Sequence, residues 1–268
     1  MSDSLSTYTV FLRQKLVPAA SQILMDAYKA YCNGDNLGAA LKEDGTPASR
    51  ADRDTEMALR KMIASTFPDH GIAGEEYGVE NGDAEFVWVL DPLDGTREFL
   101  AKENGWGILI GLLQNGKPVF GCIVDPQINK VWDQDFRPAA PKQPKQVEQA
   151  VVATTVPTIM FDGTPYEAGS HALYRRTAEL RERLNCLGFA YATEGTVDVV
   201  AENDLKLYDI AALLPVLWSA GALCLNLRGE DYRNITFDMR EAATARYGLV
   251  CSRDPALATN VLKILQGN

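Results

Sequence analysis

The chain has 268 residues, 46% of them apolar and 23% charged, enough for one large domain or two tightly joined halves around a real core. A net charge of −10 with no basic stripe argues against nucleic acid as a general partner. Cys32, Cys122, Cys186, Cys224 and Cys251 are odd in number and scattered, so neither a disulfide framework nor a zinc site is indicated, and His70 and His171 have no Ser or thiolate candidate beside them for a catalytic triad.

The N-terminus is polar from Ser2 to Thr9 and no apolar stretch approaches spanning length, so a soluble protein of the reducing cytoplasm, with no membrane partner, is expected. Helical spacing predicts a helix over 7–31, with Leu16, Ala20, Ile23, Leu24 and Ala27 on one face and Pro18 kinking or restarting it. A Gly- and polar-rich loop over 33–45 leads to a second predicted helix over 49–66, capped by Ser49, with Leu59, Met62 and Ile63 inward. Asp52 falls in its first turn, where an acid ordinarily complements the helix dipole. The small apolar run Gly71-Ile72-Ala73-Gly74 is strand-like enough to carry Glu75 inward, although a Glu75-Glu76 pair is ordinarily solvated surface.

The next stretch is the most telling. A strand-like run over 86–90 is followed at once by Asp91-Pro92-Leu93-Asp94-Gly95-Thr96. Pro92 sets its own φ and the Asp-Gly pair bends the chain, so both carboxylates can face one point. Carboxylates, carbonyls and a hydroxyl are hard oxygen donors suited to Mg²⁺. Backbone N–H groups where the chain turns into a short helix suit a phosphate. A lone Asp-Gly is ordinarily a surface turn; the hexad after a buried strand weighs well above that reading.

From Trp106 the pattern changes to a strand meander over 107–113, 118–124 and 130–132, with a turn at Asn115-Gly116. The Pro-, Lys- and Gln-rich segment 137–145 is the linker candidate, dividing an N-terminal α+β half (1–140) from a C-terminal α/β half (146–268). In the second half, strands are expected over 150–154, 197–200 and 247–251. Helices are expected over 171–184 (capped by Ser170, with Leu173, Leu180 and Leu184 aligned) and 255–265, and an apolar helix runs from Asp209 to Gly221. Asp209 by itself reads as a plain cap.

Glu75-Glu76, the Asp91 to Thr96 hexad and Tyr208-Asp209-Ile210-Ala211-Ala212, in that order, resemble the inositol monophosphatase family of Mg²⁺-dependent, lithium-sensitive phosphatases. Tyr208 stands where the family has Trp. The resemblance implies a layered α-β-α-β-α sandwich, a homodimer and roughly two or three Mg²⁺ ions per site, between the entering and leaving oxygens of a phosphoryl transfer. By position, Glu75, Asp91 and the Leu93 carbonyl would hold one ion, and Asp91, Asp94 and Asp209 another. Thr96 with Asp52, and Glu75, would orient the attacking water; the N–H groups of Gly95 and Thr96 would hold the phosphate. Glu202 would contact substrate, and a mobile loop around Lys42 would cover the site.

Arg97 and Phe99, and the non-Trp aromatic Tyr208 with Pro215 following, are most similar to the histidinol-phosphate phosphatase branch. The family places small residues and an acid where this chain has Arg183, Leu184 and Asn185, which removes a charge favouring a cationic substrate and adds bulk near the expected pocket. The expected activity is hydrolysis of a small phosphorylated metabolite, histidinol phosphate slightly ahead of inositol monophosphate. A bisphosphate nucleotidase, with Arg183 or Lys206 for a second phosphate, and a non-catalytic Mg²⁺- or phosphometabolite-binding protein are the alternatives.

Overall fold

The computed structural model describes residues 2–41, 47–138 and 143–268; the expected covering loop at Lys42 and the middle of the 137–145 linker lie outside the described residues. The N-terminal helix runs Ser2–Phe11, widens to a π-helical turn over Leu12–Leu16 and resumes as Val17–Cys32. Pro18 accounts for the widening, since it offers no N–H to the Gln14 carbonyl and its ring would crowd that carbonyl in an α-helix. Leu12, Leu16, Ala20 and Leu24 on this helix, and Leu59 and Ile63 on the helix Arg50–Thr66, form one outer layer.

Two sheets follow. The first has strands in the order Gly78–Glu80, Gly71–Gly74, Phe86–Asp94, Gly107–Gln114, Lys117–Asp125 and Lys130–Asp133, antiparallel except where Gly71–Gly74 meets Phe86–Asp94. Asn115 and Gly116, both at positive φ, close the central hairpin as expected. The second sheet runs Glu179–Glu182, Val151–Thr154, Val199–Leu205, Tyr247–Ser252 and Leu223–Leu225, parallel over the first three strands and antiparallel beyond.

Strand alternation sorts the layers. Trp88 and Leu90 face the N-terminal helices, whereas Val87 and Val89 face a middle layer of helices, Cys186–Glu194, Leu207–Ile210 and Leu213–Ser219. Val200, Leu249 and Cys251 of the second sheet close that middle core from the other side, while Val199, Ala201 and Val250 face the outer helices Glu167–Arg176 and Pro255–Leu265. The result is the α-β-α-β-α sandwich. No helix among the described residues is long and apolar enough to cross a membrane, and the five cysteines are free thiols.

Two predicted helices differ. The helix expected over 171–184 is Glu167–Arg176, with Ser170 inside it and Leu180 on an edge strand. Thr177 turns extended and its hydroxyl donates to the Ala150 carbonyl at 2.6 Å, starting the parallel pairing of Glu179–Glu182 with Val151–Thr154. Sheet extension overrides a helical spacing that only three leucines supported. The helix expected from Asp209 to Gly221 breaks after Ile210, because Pro215 has no N–H for the Ala211 carbonyl.

Candidate active site

Three residues apart on a regular strand, Asp91 and Asp94 would point to opposite faces of the sheet. The pairing shows why they do not: Asp91 lies opposite Leu109 and Asp94 opposite Gly107, three steps against two. The extra residue is a bulge at Pro92-Leu93, which returns Asp94 to the face of Asp91. Both meet Asp209 from the middle layer, and the carboxylate oxygens of the three lie within 4.8 Å of one another.

Asp209 is delivered by glycine. Gly111 and Gly121 are cross-strand partners, and a Cβ on either would stand 3.1 Å from the Ala212 backbone or 2.1 Å from its carbonyl oxygen respectively. The bend at Ala211-Ala212 therefore rests directly on the sheet. Asp209 also accepts from the Lys206 N–H at 2.7 Å, closing the first turn of its own helix.

Glu75 leaves the end of strand Gly71–Gly74, and its own N–H donates to the Leu90 carbonyl at 3.2 Å. It joins the cluster electrostatically: with burial first and Glu75 next, the carboxyl of Asp91 is pushed well above the usual range. Burial likewise pushes Asp209 well up, with Asp94 and Glu75 adding to it. Asp94 rises to about 6 through burial, partly offset by donors from Cys186. Like charges this close cannot all ionise without a counter-charge.

Asp52 is wholly buried and serves two ends. Its Oδ2 accepts from the Ser49 N–H at 2.9 Å and hydroxyl at 2.6 Å, the capping arrangement of helix Arg50–Thr66. Its Oδ1 faces the Thr96 hydroxyl at 3.0 Å, which also has the Leu93 carbonyl at 3.1 Å and one proton for the two. The helix Thr96–Ala101 starts with Gly95 as its N-cap at φ +95°, so Thr96 is the first helical residue, not the cap. A Cβ on Gly95 would lie 2.7 Å from Asn185 Nδ2, and only glycine fits there.

Asn185 Nδ2 donates to the Gly105 carbonyl at 2.7 Å and to Glu98 Oε2 at 3.0 Å. Glu202 is buried beside the cluster; its Oε1 accepts from the Thr155 N–H at 2.5 Å and hydroxyl at 2.9 Å, while Oε2 has no partner among the described residues. Burial raises its carboxyl to about 8. Arg183 is turned outward and paired with Glu103 at 3.5 Å. A cavity of about 240 Å³ lies beside Glu75, lined also by Lys206, Leu207 and Tyr208, and one of about 430 Å³ lies across Arg183 and Leu184 from Glu103 and Asp125.

Among the buried acids that went unread in the sequence, two adjoin the site residues. Glu98 follows the hexad closely, and Glu56 stands one helical turn after Asp52 on the same face, a spacing that could have flagged it.

A sequence model of the inositol monophosphatase family matches residues 5–267. This chain belongs to the inositol monophosphatase family of phosphatases. It is 30% identical over 238 residues to the chloroplastic bifunctional phosphatase IMPL2 of Arabidopsis thaliana, covering 84% of this chain and 67% of that protein. To a histidinol-phosphatase of Chlorobaculum parvum it is 26% identical over 227 residues, 82% of this chain and 86% of that protein. In fold it is similar to an inositol monophosphatase of Zymomonas mobilis, with a TM-score of 0.76 at 25% identity over 97% of this chain and 98% of that one. It is also similar in fold to the suhB protein of Bartonella henselae, with a TM-score of 0.79 at 22% identity over the same shares. The fold implied by the family resemblance is thus the fold of the chain.

Proposed function

We propose that the chain is a Mg²⁺-dependent phosphomonoesterase of a small phosphorylated metabolite, histidinol phosphate ahead of inositol monophosphate. The observation that carries it is the convergence of Asp91, Asp94 and Asp209 across a strand bulge and a helix start, with Glu75 in their field. The donors fit the ion: all are oxygens, and the raised carboxyls are a concentration of charge that a divalent cation would relieve.

Glu75, Asp91, the Leu93 carbonyl, Asp94 and Asp209 would hold the metal, as roughly two or three ions. Bound Mg²⁺ supplies Lewis-acid charge to the entering and leaving oxygens of the displacement. The Thr96 hydroxyl, held by an Asp52 that Ser49 fixes in turn, orients the water and passes its proton towards Asp52 Oδ1. The N–H groups of Gly95 and Thr96, in the first turn and without intrahelical acceptors, receive the phosphate.

For the substrate, the name of the Chlorobaculum relative supports the histidinol reading. Within the chain, Glu202 and the Asn185–Glu98 pair are the polar groups beside the cluster that would meet the alcohol portion. Free thiols suit a reducing cytoplasm. Lithium sensitivity and a homodimer rest on the family resemblance alone.

Asp94→Asn tests the metal assignment. An amide keeps the shape and removes the charge, and the charge stabilisation at stake is several kcal/mol, so phosphate release should fall by roughly 100-fold or more. p-Nitrophenyl phosphate with a panel of phosphorylated metabolites is the assay, and the panel also names the substrate. Near wild-type turnover of the folded variant at saturating Mg²⁺ would sink the assignment. Absence of any turnover by the wild type would favour the non-catalytic binder.

A further inference from the structure

Glu56 has a charged side chain with no exposure to solvent and no place in the chemistry above. Its Oε2 accepts from the Glu76 N–H at 2.7 Å, and its Oε1 from the Tyr77 N–H at 3.2 Å and from Arg60 Nε at 2.8 Å. Gly74 makes the room: a Cβ at that position would stand 2.0 Å from Glu56 Oε1. Arg60 reaches past the carboxylate to the Gly78 carbonyl and so closes the same turn from outside.

These contacts bracket one residue. Glu75 is anchored on its own N–H by the Leu90 carbonyl of the neighbouring strand, and the next two N–H groups, those of Glu76 and Tyr77, end on Glu56. We propose that Glu56 is a positioning residue, a buried carboxylate seated in the space Gly74 leaves, which clamps the turn after Gly74 so that Glu75 is aimed at Asp91 and the Mg²⁺ site. The inference rests on the reading of Glu75 as a metal ligand.

The chemistry of the clamp needs a carboxylate. Both oxygens of Glu56 take N–H donors, so in Glu56→Gln the amide NH₂ faces a donor whichever way the amide turns. The turn must then shift, and Glu75 with it. Groups that orient a metal ligand typically cost about 10- to 100-fold in metal affinity when changed.

The experiment measures Mg²⁺ affinity of the full-length protein by titration calorimetry, and the Mg²⁺ concentration for half-maximal p-nitrophenyl phosphate hydrolysis. Wild type, Glu56→Gln, Arg60→Lys, Glu75→Ala and the Glu56→Gln/Glu75→Ala double variant are compared. Both quantities should worsen about 10- to 100-fold in Glu56→Gln and by less in Arg60→Lys, and Glu56→Gln should add little once Glu75 is gone. A Glu56→Gln protein that melts earlier but binds Mg²⁺ as the wild type does would overturn the proposal, as would a full additional loss in the double variant. If Glu56→Gln does not fold, Arg60→Lys decides on the same two readings, an unchanged Mg²⁺ affinity counting against the clamp. A wild type that binds no Mg²⁺ would bring down the metal reading itself and this inference with it, an outcome distinct from a variant that binds normally.

Discussion

At Asn185 the amide nitrogen divides its two protons between a backbone carbonyl and the Glu98 carboxylate, while the residue itself sits at φ +47° and ψ −134°. Read along the chain, Asn185→Asp should restore a charge that helps a cationic substrate. In the folded protein the new carboxylate would instead replace a donor facing two acceptors, one of them charged, at a largely buried point. Leaving such groups unpaired costs about 1–3 kcal/mol. We therefore expect Asn185→Asp to melt earlier and to lose activity on histidinol phosphate and inositol monophosphate alike; a lower KM for histidinol phosphate with unchanged melting would contradict this. Thr96 shows the reverse case. As the first helical residue and not the cap, its hydroxyl is free of a capping duty and is directed towards Asp52 and Leu93.

Elements aim the site more than single contacts do. The Ala211-Ala212 bend lies on Gly111 and Gly121 of neighbouring strands, and it fixes where Asp209 arrives. A methyl at position 121 would meet the Ala212 carbonyl oxygen at 2.1 Å, and overpacking of this kind costs about 1–3 kcal/mol. Gly121→Ala should lower both the melting temperature and kcat, because lifting the bend withdraws Asp209 from Asp91 and Asp94. Full activity in a destabilised Gly121→Ala protein would show that the bend does not set the carboxylate. The bulge at Pro92-Leu93 works on the same scale, since one added residue moves a carboxylate across the sheet.

For the whole molecule, the buried acids link protons, metal and stability. Burial holds Glu202 at about 8 and Asp94 at about 6, with Asp91 and Asp209 also well above their ordinary range. The native state therefore keeps protons that the unfolded chain releases, so this contribution is complete below the ordinary carboxylate range and is lost as pH rises through the raised values. His70 runs the other way: burial lowers it, and its Nδ1 accepts from Trp88 Nε1 at 3.1 Å, so its protonation costs stability below its ordinary value of 6.5. Between pH about 6.5 and 8 the acids decide. The metal-free protein should melt lower at the upper end of that window, and saturating Mg²⁺, which binds the ionised native site, should shrink or invert the difference. Melting curves with and without Mg²⁺ test this. A metal-free melting temperature that rises with pH and ignores Mg²⁺ would count against it.

The order of Glu75-Glu76, the hexad and Tyr208-Asp209-Ile210-Ala211-Ala212 carried the family resemblance and through it the layered fold, while the facing of Asp91 and Asp94 was legible because Pro and Gly act through local geometry that sequence spacing carries. The helix over 255–265 and the Asn115-Gly116 hairpin were legible for the same reason. What lies within one strand or turn can be read from the chain. The glycine seat under Ala212, the commitment of Asn185 to Glu98 and the seating of Glu56 against Gly74 join residues distant in sequence. No local pattern encodes such meetings. They are decided by which faces the two sheets and the middle helices press together, and burial there turns an ordinary surface acid into a charge that must be held by a partner.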